Sequence, residues 1–194
     1  MNQPKNKTIT VYCASADRLP EIYFEAAAAL GREIAHAGYT LVTGAGYTGL
    51  MGAVADAAMA AGGKVIGIIP RFMVERGWNH KGLSELRIVE SMHERKAMMA
   101  ESACGVIALP GGIGTFEELL EIITWRQLGL FKGNIVIYNV DNYYGPLISM
   151  LQKAIEQGFM QPDHRALFTV AETASEALAA AGASAAEQKF SPKF

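Results

Sequence analysis

The chain has little cysteine, no long apolar run and no surplus of either charge. Its 194 residues include 2 cysteines, Cys13 and Cys104, in or beside predicted strands and at no metal-ligand spacing. They read as buried, reduced thiols of a cytoplasmic protein. No stretch reaches the ~20 apolar residues of a membrane helix. The polar start, Met1 to Thr8, does not read as a secretory leader. With 17 Lys and Arg against 19 Asp and Glu the formal charge is −2, and basic residues never run beyond two. No nucleic-acid or membrane partner is expected from such a balance. The 4 histidines form no HxxxH or HExxH pair, so the sequence offers no metal site.

Hydrophobic residues make up 51%, ample for one core. Short apolar runs alternate with helical patterns. Strands are predicted at Thr8 to Cys13, Tyr39 to Thr43, Lys64 to Ile69, Leu86 to Val89, Gly105 to Leu109, Asn134 to Asn139 and, at an edge, Leu167 to Val170. Helices are predicted over Glu21 to Ala37, from Gly49 to Ala61, from Ser91 to about Ala103, after Gly114, over Pro146 to Gln157 and over Ser175 to Ala180. Arg71 to Gly82 has no clear period and reads as an irregular segment over one edge of a pocket. The pattern predicts an α/β fold, a doubly wound, Rossmann-like parallel sheet with helices on both faces. It forms one domain over 1–183. The small, polar residues from Ala181 fray, leaving 184–194 as a flexible tail.

In such sheets ligands bind at the carboxyl ends of strands where the order reverses. Three segments fall there: Ser15 after the first strand, Gly44 to Gly49 after the second, and Pro110-Gly111-Gly112-Ile113-Gly114-Thr115 after the fifth. Glycines at a strand-to-helix turn bring bare N–H groups close to a ligand, and the helix adds its unpaired donors. Such a turn suits an anion, most often phosphate. Gly44-x-Gly46-x-x-Gly49 matches the dinucleotide fingerprint. It does not follow the first strand, and the next strand ends in Ile69-Pro70-Arg71 without an acidic ribose ligand. A plain tight turn explains it equally well.

Two carboxylates follow the central turn. Thr115-Phe116-Glu117-Glu118 is a T-x-x-E capping box, in which Glu118 would only satisfy a backbone N–H. Glu117 lies about 100° away around the helix, so the two cannot both face one ligand. Ser91-Met92-His93-Glu94 is a second capping box, with His93 at the surface. Arg95 and Lys96 fall in the first turns of that helix, where the dipole disfavours cations by roughly 0.3–1 kcal/mol each. They are either solvated or compensated by a nearby anion.

Met92-His93-Glu94-Arg95-Lys96, followed by Pro110-Gly111-Gly112-Ile113-Gly114-Thr115-Phe116-Glu117-Glu118, resembles the LOG (Lonely Guy) family over nearly the whole chain, from Tyr12 to about Leu178. These are the cytokinin riboside 5′-monophosphate phosphoribohydrolases, often mislabelled lysine decarboxylases. The resemblance implies hydrolysis of the N-glycosidic bond of an adenosine 5′-monophosphate, often N6-substituted, giving free base and ribose 5-phosphate without metal or cofactor. It also implies a homodimer or an assembly of dimers, with active sites near the subunit interface. By position Arg95 and Glu118 match the family's catalytic pair, and Lys96, Gly112 to Glu118 and Thr124 match substrate-binding positions. Ser15, Gly44, Gly46, Gly111, Gly114 and Thr115 complete the candidate set. The chain departs from the family's pattern at Ala14, at Ala45 inside a triple glycine, and at Gly77, where the family has a substrate-binding glutamate; Glu75 lies two residues away. Two other readings stand beside this one: a nucleotide or cofactor carrier without turnover, and an NAD(P)-dependent oxidoreductase using Gly44 to Gly49.

Overall fold

The computed structural model describes residues 7–101, 103–184 and 190. Seven strands are described: β1 (Thr8–Tyr12), β2 (Thr40–Thr43), β3 (Val65–Pro70), β4 (Glu85–Val89), β5 (Gly105–Ala108), β6 (Asn134–Tyr138) and β7 (Thr169–Ala171). All pair in parallel, in the order β4-β3-β2-β1-β5-β6-β7. The chain steps outward from β1 to β4, then crosses back to lay β5 on the other side of β1. Ile9 is thus in register with Leu41 on one flank and Gly105 on the other. The order reverses between β1 and β5.

Connections of this length between parallel strands are made by helices. They are α1 (Glu21–His36), α2 (Gly49–Ala60), α3 (Arg71–Glu75), α4 (Met92–Glu101), α5 (Ile113–Gln127) and α6 (Gly145–Glu156); α7 (Ala174–Gly182) follows β7. Side chains alternate across a strand, so β1 serves both faces. Ile9 and Val11 join Leu30, Ile34, Val54 and Leu178 of α1, α2 and α7 in one core. Tyr12 joins Met99, Leu119, Ile122 and Ile123 of α4 and α5 in the other. This is the doubly wound sandwich that the alternating pattern predicts.

The structure differs from the sequence reading in three places. The Arg71–Glu75 part of the irregular segment is a short helix. Gly77, at φ +73°, closes it: its N–H donates to Val74 and that of Trp78 to Met73. A left-handed residue here favours glycine, which gives Gly77 a structural reason of its own. Second, α7 runs on through Gly182, with Ala181 fully buried and its carbonyl against Gly105, so the chain does not fray at Ala181. Third, Leu167 belongs to a 3-10 turn, Pro162–Leu167, and not to the edge strand. The proposed tail, 184–194, lies outside the described residues except for 184 and Phe190; the Phe190 ring sits 6.5 Å from that of His164. Among the described residues no helix is long and apolar enough to cross a membrane.

Candidate active site

The β1 and β5 ends open on a cleft of about 660 Å³, within the usual range for small-molecule sites. Ser15, Gly44, Gly46, Arg95, Gly112, Gly114, Thr115 and Glu118 all line it, so residues from three strand-to-helix turns and from helices α4 and α5 converge there. A larger trough of about 780 Å³ runs between α1 and α2. It is open and shallow, lies away from both glycine turns and gathers no array of donors, so it is not the candidate site.

Helix α5 begins at Ile113 with Gly112 as its cap, three residues earlier than the T-x-x-E spacing suggests. Thr115 is therefore inside the first turn, and its hydroxyl does not cap the helix. The capping role for Glu118 falls with it. The N–H groups of Gly111, Gly112, Ile113, Gly114 and Thr115 find no acceptor among the described residues; the first bond into the turn is Phe116 N–H to the Gly112 carbonyl. Added Cβ atoms at Gly112 and Gly114 would meet open space. Successive free donors at the positive end of a helix dipole form a cradle for an anion. The N-terminal box at α4 does form, shifted at one arm: Glu94 N–H donates to the Ser91 hydroxyl, while the Glu94 carboxylate accepts from the N–H of Glu90.

Arg95 and Lys96 are buried, which removes the reading of two solvated side chains. Arg95, 7% exposed, donates from Nη1 to Glu118 Oε1 at 2.9 Å and from Nε to the Ile68 carbonyl at 3.1 Å. The Glu118 carboxylate, 8% exposed, thus supplies the anion that the first turn of α4 calls for, and its Oε2 has no hydrogen bond among the described residues. Burial lifts the Glu118 carboxyl above the ordinary carboxylate range; Arg95 opposes this and the nearby Glu117 charge adds to it. Gly44 makes room for the guanidinium, since a Cβ there would stand 1.8 Å from Arg95 Nη2.

The other glycines of the fingerprint also have packing reasons. Gly46 N–H points at Met51 Sδ at 3.0 Å, and Gly49, at φ +61°, lies against the backbone of Ser15 and Ala16. Gly111 stands behind the cleft wall, backed by the Thr115 side chain. Lys96 is not among the lining residues but donates to Glu117, which is, at 2.5 Å and to Glu121 at 3.1 Å. Burial works against its charge, but these two carboxylates outweigh burial and hold the ammonium above its usual range. Thr124 is on the exposed side of α5, its hydroxyl bonded to the Leu120 carbonyl. Neither Gly77 nor Glu75 is among the lining residues.

The sequence reading missed the apolar part of the wall. Tyr47 and Trp78, both largely exposed, stand at the cleft with Met51, Met73 and Met92. Met73 and Trp78 belong to the segment expected over a pocket edge. Met92 opens the motif that carries the resemblance; Tyr47 and Met51 carried no signal of their own. Cys13 also lines the cleft, but burial and the Glu118 charge push its thiol well up, so it stays protonated. Among the described residues no three His, Cys, Asp or Glu side chains gather to hold a metal ion.

A reversing parallel sheet with a row of free N–H donors and a buried carboxylate at its switch point defines a doubly wound α/β protein with its cleft at that point. Comparison with known proteins narrows the class. The family model described as "Possible lysine decarboxylase" matches residues 51–181. A cytokinin riboside 5′-monophosphate phosphoribohydrolase of Arabidopsis thaliana is 44% identical over 176 residues, 91% of this chain and 82% of its own. One from Oryza sativa is 45% identical over 170 residues, covering 88% and 70%. The chain belongs to this LOG family. Among solved structures, a molybdenum cofactor carrier protein of Chlamydomonas reinhardtii superposes with a TM-score of 0.70 at 21% identity, covering 91% of this chain and 96% of the other. The molybdenum cofactor binding protein of Rippkaea orientalis gives 0.66 at 20%, covering 89% and 93%. At that identity the likeness is one of fold.

Proposed function

We propose that the chain hydrolyses the N-glycosidic bond of adenosine 5′-monophosphates, including N6-substituted ones, and releases the free base and ribose 5-phosphate. The observation that carries this reading is a buried carboxylate with one oxygen free, one helical turn from a row of unpartnered N–H groups. The 5′-phosphate sits on the donors of Gly112 to Thr115 and so fixes the ribose over Glu118. The bond from C1′ to the purine nitrogen breaks with its electron pair leaving on the base, and positive charge grows on the ribose. The ionised Glu118 stabilises that charge and takes a proton from the water whose oxygen bonds to C1′. A proton returns to the departing base. Arg95 holds Glu118 in place through Oε1 and leaves Oε2 for the reaction. The methionines with Tyr47 and Trp78 give the base an apolar berth.

The active unit is a homodimer or an assembly of dimers. Ile113 is 86% exposed, and Leu120 and Leu128 lie exposed on the face of α5 that carries Thr124, with four-residue spacing. Thr124 is outside the cleft of its own chain, so a part in substrate binding needs a second copy. Two free cysteines accord with a cytoplasmic setting.

The test is incubation with AMP and an N6-isopentenyl AMP, following free base and ribose 5-phosphate. Release of both, with kcat/KM for AMP far above that for adenosine, supports the reading. Binding without release identifies a carrier, and NADPH retained on the protein identifies the oxidoreductase.

A further inference from the structure

Three consecutive carbonyls of the central turn are held from behind the cleft. The Tyr144 hydroxyl donates to Leu109 at 2.8 Å, Ala14 N–H to Pro110 at 3.1 Å, and the Tyr143 hydroxyl to Gly111 at 2.6 Å. In a trans peptide the carbonyl and the following N–H point in opposite directions. Drawing the Pro110 and Gly111 carbonyls backward therefore turns the N–H groups of Gly111 and Gly112 forward, and no described residue accepts from either.

Both tyrosines come from the turn between β6 and α6, which is itself fixed. Asp141 and Asn142 take left-handed backbone, at φ 50° and 54°. The Asn139 side chain accepts from Tyr144 N–H at 2.7 Å and donates to Asn142 at 3.2 Å. The Tyr143 ring stacks on Phe116, in the first turn of α5, and meets Tyr144 edge-on at 5.1 Å. One pair of side chains thus braces both the glycine turn and the start of the helix. Burial raises both phenols, so they remain O–H donors across the working pH range. Neither ring lines the cleft.

We infer that Tyr143 is a positioning residue for phosphate: its hydroxyl orients the Gly111–Gly112 peptide so that the free Gly112 N–H faces the 5′-phosphate of the substrate, while Tyr144, whose acceptor precedes Pro110 and so has no N–H to turn, supports the Tyr143 ring from behind. This rests on the reading of the turn as a phosphate cradle. Tyr143→Phe keeps the ring packing and removes one hydrogen bond. The loss of a single such bond predicts a rise of roughly two- to tenfold in KM for AMP and in the inhibition constant of inorganic phosphate. The change in kcat for AMP stays below about twofold, and the ratio of kcat/KM for AMP over adenosine falls by the KM factor. In Tyr144→Phe the buried Leu109 carbonyl is orphaned but no turn N–H is released, so the melting temperature drops while phosphate inhibition changes less than in Tyr143→Phe.

In Tyr143→Phe, equal losses for AMP and adenosine, a fall in kcat with KM preserved, or unaltered phosphate inhibition would overturn the inference. A wild-type protein that neither binds phosphate nor acts on AMP would instead overturn the cradle itself, and with it this role. A wild type that binds phosphate, beside a Tyr143→Phe variant that binds it equally well, removes the positioning role alone.

Discussion

Replacing Glu118 by Gln separates the chemistry of this carboxylate from its structural part. The amide keeps the size and can still accept from Arg95 Nη1, the one hydrogen bond Glu118 makes. What it lacks is the charge opposite a cationic ribose. Removing one preorganised group of this kind lowers kcat by about 10²–10³, or ~2.7–4 kcal/mol. The stability cost is smaller. Deleting one partner of a buried ion pair costs ~3–5 kcal/mol, but here an acceptor remains and burial already disfavours the charge. A loss of about 1–3 kcal/mol is expected, and at roughly 2–4 °C per kcal/mol for a chain of this size the melting temperature falls by roughly 2–12 °C. The assay is release of base from AMP at saturating substrate, with calorimetry alongside. Glu117→Gln is the control. That side chain is 55% exposed, and its partner Lys96 keeps Glu121, so kcat should change by less than about twofold. A near-normal kcat in Glu118→Gln, in protein that still melts cooperatively, would refute the reasoning and leave the cleft as a binding site.

Activity should fall on acidification with a midpoint above the ordinary carboxylate range, because burial raises the Glu118 pKa and its ionised form is required; Glu117→Gln, which removes a neighbouring negative charge, should move that limb to lower pH in a kcat/KM profile. The same raised pKa means that Glu118 by itself favours folding most below its unfolded pKa and that this contribution is lost as pH rises through the folded value, a trend visible in melts of wild type against Glu118→Gln. Gly44→Ala puts a methyl where the Arg95 guanidinium lies and should cost about 1–3 kcal/mol of stability and more than ~10-fold in kcat, whereas Gly112→Ala meets open space and should leave the melting temperature within about 2 °C. Leu120→Asp with Leu128→Asp should turn a dimer into a species near the 20.8 kDa chain mass by light scattering, and a wild type already of that mass would refute the assembly.

The fold was legible because parallel sheets buried on both faces leave plain traces: short apolar runs such as Val106 to Leu109, long connections, and glycine at the strand ends. The site was legible wherever one turn carries it whole, as with Gly112 to Thr115. What spacing could not settle was which competing use of a motif the fold would adopt. Thr115 to Glu118 has the form of a cap, yet the free donors of Gly112 and Gly114 begin the helix earlier and release Glu118 for Arg95. Spacing left Lys96 open between solvent and an anion because the carboxylates that hold it lie 21 and 25 residues away on another helix. Tyr143 and Tyr144 act on carbonyls 32 and 35 residues back, and no local pattern marks a side chain that reaches that far.

The sheet's reversal has a consequence for how the protein comes to be active. Thr8 and Cys104, joined where β1 meets β5, are 96 residues apart in the chain. Closing so long a loop is entropically costly and makes this pairing a slow step relative to the local β–α units on either side. Everything before α4 contributes Ser15, Gly44 and Gly46; everything from α4 onward contributes Arg95, Glu118 and the donor row. A chain divided between β4 and α4 therefore leaves neither fragment with a cleft. Turnover by the two mixed fragments would report directly on formation of the central strand pair, so the enzyme carries in its own activity a gauge of that long-range folding event.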